Sequence, residues 1–381
     1  MKHVLCMPDS FKGTMSSAEV GAIMKDAILQ VFDNAIVENY IVADGGEGTV
    51  DAFLSAIEGV KREVTVAGPY HELISSFYGK MIDDVAIIEM AACAGLPLVE
   101  DHKNPELTTT YGVGQLLLKA LDDGATKIIV GLGGSATNDG GCGMAAACGV
   151  RFYDSSNQVF VPTGGTLKDI FRIDVQQLDP RILTTEIVTM CDIDNPLIGP
   201  MGASAIFGPQ KGADPSMVTR LDSGLSHLAE VINRDLGMDV AMVAGAGAAG
   251  GMGAGMIAFF HSTLQMGIET VLDVIHFDDL LDRIDCIFTG EGKIDSQSLR
   301  GKVVIGISRR AKKKNVPVIA IVGSIDEQVF DLSSEGVSAM FSINHQPLPF
   351  EVAKLHSKEN LAKAMHQVCQ LLLLNTKTTS T

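Results

Sequence analysis

Apolar positions recur along this chain with two periods, one of strands and one of helices. Residues 4–7 form a short apolar run of strand length. Across 16–32, Val20, Ile23, Met24, Ala27, Ile28 and Val31 fall on one helical face, and Ser16 with Glu19 forms a capping box that sets the start. Residues 36–43 predict a second strand. The far end repeats the alternation, with strands at 286–289, 318–322 and 337–343 and helices at 303–314 and 360–374. Strands that alternate with helices predict a parallel, doubly wound sheet. The polar residues 375–381 predict a disordered tail.

The middle of the chain has a different texture. Short strands are expected at 64–67, 77–81 and 85–90, then a helix at 113–121, a strand at 127–131, a strand at 186–190 and a long helix at 215–236. This predicts a mixed α/β domain at 70–280 inserted into a sheet domain built from 1–69 and 281–381. The uncharged run 240–260 has the length of a membrane span. Six of its 21 residues are Gly, however, and no Lys or Arg flanks it between 235 and 282, so it reads as a buried or loop-forming segment.

Charge narrows the function classes. With 46 acidic residues against 29 Lys+Arg, the net charge of −17 excludes a nucleic-acid or anionic-membrane surface, which requires a basic patch. The basic cluster at 309–314 reads as the solvated C-terminal end of a helix. Seven cysteines without a CxxC spacing fit reduced, mostly buried thiols, and the apolar run at 4–7 is too short for a secretory signal, which predicts a cytoplasmic protein. Nothing in the sequence selects a monomer over a homo-oligomer.

Glycine is the compositional signal. Of 40 glycines, 24 fall in seven segments amounting to about 80 residues, interleaved with Asp, Glu, Ser and Lys. Four of these segments follow strands of the terminal domain. They carry Asp9, Ser10 and Lys12; Asp44 and Glu47; Glu291, Lys293 and Asp295; and Ser324 with Asp326. In an open parallel sheet ligands bind beyond the carboxyl ends of the strands, and a 2-1-3-4-5 strand order would set the first and third loops face to face. The inserted domain adds Gly133, Gly134, Ser135, Asn138 and Asp139 between a strand and a helix, an arrangement expected to cradle an anion. It also adds Asp192, Asp194 and Asn195, then Lys211, and then the run 245–255. Gly245, Gly247 and Gly250 satisfy GxGxxG, but no convincing βαβ unit surrounds them, so a dinucleotide fold is weakly supported. Gly292-Lys293 and Gly301-Lys302 lack the Ser or Thr of a P-loop, and Ser135 lacks the GxSxG frame of a nucleophile elbow.

These blocks, at 8–14, 43–49, 131–141, 191–204, 207–213, 245–253 and 289–302, resemble the class I glycerate kinases, in family order and across nearly the whole chain. The resemblance implies transfer of the γ-phosphoryl group of ATP to a hydroxyl of D-glycerate with Mg²⁺, giving 2-phosphoglycerate in the bacterial branch. It further implies two α/β domains, one flavodoxin- or Rossmann-like, with the active site in a cleft between them. Within that frame Asp192, then Asp44, is the expected base, and Lys12, Lys211 and Lys293 supply local positive charge. Glu47, Glu291 and Asp295 are expected near the metal. Asp9, Ser10, Gly133, Gly134, Ser135, Asn138, Asp139, Asn195, Gly245 and Gly247 are expected to bind substrate or phosphate. The competing classes are a glycerate 3-kinase or a kinase of a related hydroxy acid, an NAD-dependent oxidoreductase resting on GxGxxG alone, and a non-catalytic binding module.

Overall fold

The computed structural model describes residues 1–42, 45–296, 298–329 and 331–378. The chain forms two compact units, one from 1–43 with 268–381 and the other from 44–267. Both boundaries differ from the expected 69/70 and 280/281. Strand Gly59–Ala67 pairs antiparallel along its whole length with Leu73–Met81, which draws it into the second unit. Residues 268–280 go with the first unit, where the Arg310 guanidinium donates to Asp273 and Asp278.

In the first unit five parallel strands lie in the order Ile36–Asn39, His3–Pro8, Cys286–Gly290, Val318–Val322, Val337–Ser342. Numbered along the chain this is 2-1-3-4-5. The two central runs Cys286–Gly290 and Val318–Val322 are buried throughout, as strands covered on both faces must be. One face packs on helices Ser17–Val31 and Ser357–Thr378 through Val20, Met24, Ile28, Leu361 and Met365. Val304 and Ile305 of helix Val303–Lys313 enter a second cluster with Ala320 and Val322. Ser16 and Glu19 form the expected reciprocal cap. The final helix runs to Thr378, further than its apolar stripe, because no Gly or Pro interrupts propagation after Ser357; only 379–381 of the expected tail lie outside the described residues.

The second unit has a six-stranded mixed sheet, in the order Thr263–Gln265, Glu186–Met190, Lys127–Gly131, Val85–Glu89, Leu73–Met81, Gly59–Ala67. The first four strands are parallel and the last two antiparallel. Its core joins Ile88, Ile128 and Val130 to helices Tyr111–Asp122, Pro215–Leu236 and Ala248–Phe260. The glycine run is a buried turn at 245–247 followed by helix Ala248–Phe260, which left-handed backbone interrupts at Ala249, Gly250 and Gly251, and no helix among the described residues is long and apolar enough to cross a membrane. Helix Thr49–Ala56 and a small antiparallel sheet centred on Arg151–Tyr153 have no counterpart in the hydrophobic pattern.

Candidate active site

In the first unit the loops after strands His3–Pro8 and Cys286–Gly290 are joined. Pro8 is in register with Gly290, and the Asp9 N–H donates to the Gly290 carbonyl at 2.8 Å. Ser10 N–H donates to the Asp9 carboxylate at 2.6 Å, and Lys12 is exposed at the turn closed by Phe11 and Met15. Gly292 lies directly against the Lys12 backbone. The Gly323 N–H donates to the Glu291 carbonyl, tying in the loop after Val318–Val322.

Glu291 is the outlying group of this unit. It is only 5% exposed, one oxygen accepts from the Ser298 hydroxyl, and Oε1 has no hydrogen-bond partner among the described residues. Burial pushes its acid up to about 7; Asp9 and Asp295 add to the rise, while Ser298 and Lys302 oppose it. A buried carboxylate oxygen without a donor is costly in isolation and suits a cation. Lys293 is less available than expected: 55% exposed, it lies 3.8 Å from Asp295 and 3.5 Å from Asp326.

In the second unit the glycines make backbone-on-backbone contacts. The Gly133 N–H donates to the Gly45 carbonyl at 2.9 Å, and a β-carbon on Gly133 would come within 2.5 Å of the Gly46 α-carbon. Gly247 N–H likewise donates to the Asn195 carbonyl at 3.0 Å, and a β-carbon there would sit 2.2 Å from the Pro196 carbonyl. Gly245 and Gly247 are buried, so the GxGxxG match reflects close packing of loops. Gly134 is exposed in a left-handed turn, φ +74°.

Two helix starts in this unit, one of them the expected anion cradle, are already filled by buried carboxylates. Asp139, fully buried, accepts from the Thr110 N–H and hydroxyl, both at 2.8 Å, and from the N–H groups of Gly141 and Gly143. It thereby caps helix Cys142–Ala147 itself, and the expected cradle at that helix end is corrected to an internal cap. Glu89, 2% exposed, does the same for Thr49–Ala56, accepting from Val50 N–H at 2.5 Å and Gly48 N–H at 3.2 Å. Burial pushes both carboxyls up, against the pull of those bonds. No residue pattern marked Glu89, because an acid at a strand end gives no sequence signal without its partners.

Lys211 is also internal. Only 1% exposed, its ammonium donates to Ser135 Oγ and the Thr137 carbonyl, each at 2.7 Å. Burial pushes it down to about 7, with Asp139 pulling the other way. Asn138 is buried and paired with Ser204. Asp192 is half-buried, with Oδ1 accepting from Gly267 N–H at 2.7 Å; Asn195 donates to the Met201 carbonyl. Glu47 is exposed before Thr49, and Asp44 lies outside the described residues. Among the described residues, no three His, Cys, Asp or Glu side chains converge as a metal-binding group.

The sequence profile described as the glycerate kinase family matches residues 4–373. A glycerate kinase of Haemophilus influenzae is 45% identical over 374 residues, covering 98% of this chain and 99% of the relative. Glycerate 2-kinase of Escherichia coli K12 is 43% identical over 376 residues and 98% of both chains. A crystal structure of a candidate glycerate kinase 2 from Salmonella typhimurium LT2 superposes with a TM-score of 0.85 at 41% identity, covering 99% of each chain.

Proposed function

The chain belongs to the glycerate kinase family, and we propose that it transfers the γ-phosphoryl group of ATP to the 2-hydroxyl of D-glycerate. The observation that carries this is full-length kinship to glycerate kinases, one of them a glycerate 2-kinase. The 2-1-3-4-5 order supports reading the first unit as a flavodoxin-like domain. Seven free cysteines, six of them buried, suit a reducing cytoplasm.

Phosphoryl transfer depends on positioning and on offsetting negative charge. Lys12, exposed beside the Asp9 and Ser10 turn, is suited to meet an anionic substrate. Gly134 offers an exposed turn in the second unit, between Gly133 and the buried Ser135. Asp192 is the base of choice, half-buried, with Oδ1 held by the Gly267 N–H. Asn138, Asp139, Asn195, Lys211, Gly245 and Gly247 act indirectly, by holding the loops in shape.

The residues of the first unit fit Mg²⁺. The unpaired Glu291 oxygen, with Asp9 and Asp295 close enough to perturb it, matches the one or two carboxylates by which this ion is bound alongside phosphate. When bound, Mg²⁺ neutralises charge on the phosphate oxygens of ATP.

The test is ADP release from ATP with D-glycerate, followed by NMR assignment of the phosphorylated carbon. Glycerate-dependent ADP with phosphate on C2 is expected. Absence of glycerate-dependent ADP overturns the activity, and phosphate on C3 overturns the regiochemistry alone.

A further inference from the structure

Several helix starts in this protein are closed by side-chain oxygens. Ser16 and Glu19 serve Ser17–Val31, Glu89 serves Thr49–Ala56, Asp139 serves Cys142–Ala147 and Asp214 serves Pro215–Leu236. The 11-residue helix Val303–Lys313 has no such closure: its N-cap is Lys302, which offers no acceptor, and among the described residues no side-chain acceptor meets its first-turn amides. The first intrahelical bond is Gly306 N–H to the Lys302 carbonyl, so the N–H groups of Val303, Val304 and Ile305 all precede it. These three residues are buried, where unmet amides carry a desolvation cost.

A second, independent observation points to a ligand at this helix end. Glu291 is buried, only 5% exposed, and its Oε1 has no partner among the described residues. It is one side chain away from the helix start: Ser298 donates its hydroxyl to Glu291, and the Ser298 carbonyl accepts the Lys302 N–H at 3.2 Å. Lys302 also acts electrostatically on the Glu291 carboxyl. Three buried donors beside a lysine call for an anion, and an unmet carboxylate oxygen on which that lysine acts calls for a cation. A metal-bound phosphate group satisfies both at once, whereas a simple anion would be repelled by Glu291 and a bare cation by the helix dipole.

We propose that the phosphate tail of the nucleotide docks at the N-terminus of Val303–Lys313, its oxygens taken by the first-turn amides and Lys302, with the unpaired Glu291 oxygen turned toward the Mg²⁺ that the phosphates carry. The first unit is then the nucleotide-binding unit. This rests on the kinase reading above, and it adds Lys302 and the Val303 amide to the binding residues.

The experiment is calorimetric titration of the full chain with ADP, with and without Mg²⁺, in the absence of glycerate. Lys302→Met is expected to weaken ADP binding about tenfold with or without the metal, as loss of a charge-assisted contact does. Glu291→Gln is expected to remove most of the gain that Mg²⁺ gives and to leave metal-free ADP binding near wild type. Val303→Pro deletes one amide donor at a helix position that tolerates proline, and it is expected to weaken binding severalfold with the circular dichroism spectrum unchanged. Should Glu291→Gln fail to fold, Val303→Pro and Lys302→Met still decide the matter. Mg·ADP affinities within twofold of wild type in these two, with wild-type glycerate phosphorylation normal, overturn the inference and leave the kinase reading standing. A wild-type chain that neither binds Mg·ADP nor turns over glycerate overturns the kinase reading instead.

Discussion

Lys211 shows how a residue chosen for its charge can act from the interior. Its ammonium is held by Ser135 Oγ and the Thr137 carbonyl, and burial pulls its titration down to about 7. In the unfolded chain a lysine keeps its proton to about 10.5. Below pH 7 both states are protonated, and the folded state bears the full cost of a buried ammonium. Between about 7 and 10.5 the unfolded state binds more protons, so this group's contribution to stability improves as pH rises. Asp139, the charged group that acts on it, opposes the shift but does not cancel it. Buried thiols such as Cys6 and Cys93, pushed up by burial, act in the opposite sense at alkaline pH. They are common to wild type and Lys211→Met, and drop out of the difference. Urea midpoints of the two proteins at pH 7 and pH 9.5 check the argument. The wild type should gain on Lys211→Met at the higher pH, and a gap that does not change with pH would reject a buried, depressed lysine.

At the scale of elements, the glycine-rich loops are held by one another. Gly133 places its backbone so near Gly46 that an added β-carbon would lie 2.5 Å from an α-carbon and 2.8 Å from an amide nitrogen, neither of which can rotate away. Gly124 presents the contrary case: its φ is +88°, but open space surrounds the position where a β-carbon would go. Alanine at Gly124 should cost about 1 kcal/mol of backbone strain. Alanine at Gly133 should cost more, about 2–3 kcal/mol, since two main chains must separate. Thermal midpoints of the two variants test the order, and the reverse ranking would mean that the loops are not docked as described. This also explains what could be read in the sequence. The helix 215–236 and the strand 127–131 were legible because one apolar face or one buried run specified each. The turn carrying Asp9, Ser10 and Lys12 was legible because parallel strands put their carboxyl-terminal loops on one edge. Hidden were the partners across space. Nothing in the sequence marks the Thr110 and Ser135 that hold Asp139 and Lys211, and Lys302 fits no P-loop pattern although the helix behind it has no side-chain cap among the described residues.

For the whole molecule, the charge of −17 sets a balance that salt can shift. Even if every one of the 29 Lys and Arg residues were paired, 17 of the 46 carboxylates would remain without a cation. The ion pairs that do form are close, such as Arg283 with Glu38 at 2.9 Å and Arg309 with Glu335 at 2.6 Å. Their separations are well inside the Debye length of about 8 Å at 0.15 M, and such exposed pairs contribute roughly 0–1 kcal/mol each in any case. Repulsion among the surplus carboxylates acts over longer distances, so added salt screens it first. Moderate salt should therefore stabilise the fold rather than loosen it. Raising NaCl from 20 mM to 300 mM is expected to lift the first thermal transition by a few degrees, on a scale of about 2–4 °C per kcal/mol for a unit of this size. A transition that moves down over the same range would mean that the surface ion pairs outweigh the net repulsion, and that the acidic excess is better neutralised in the folded chain than its composition implies.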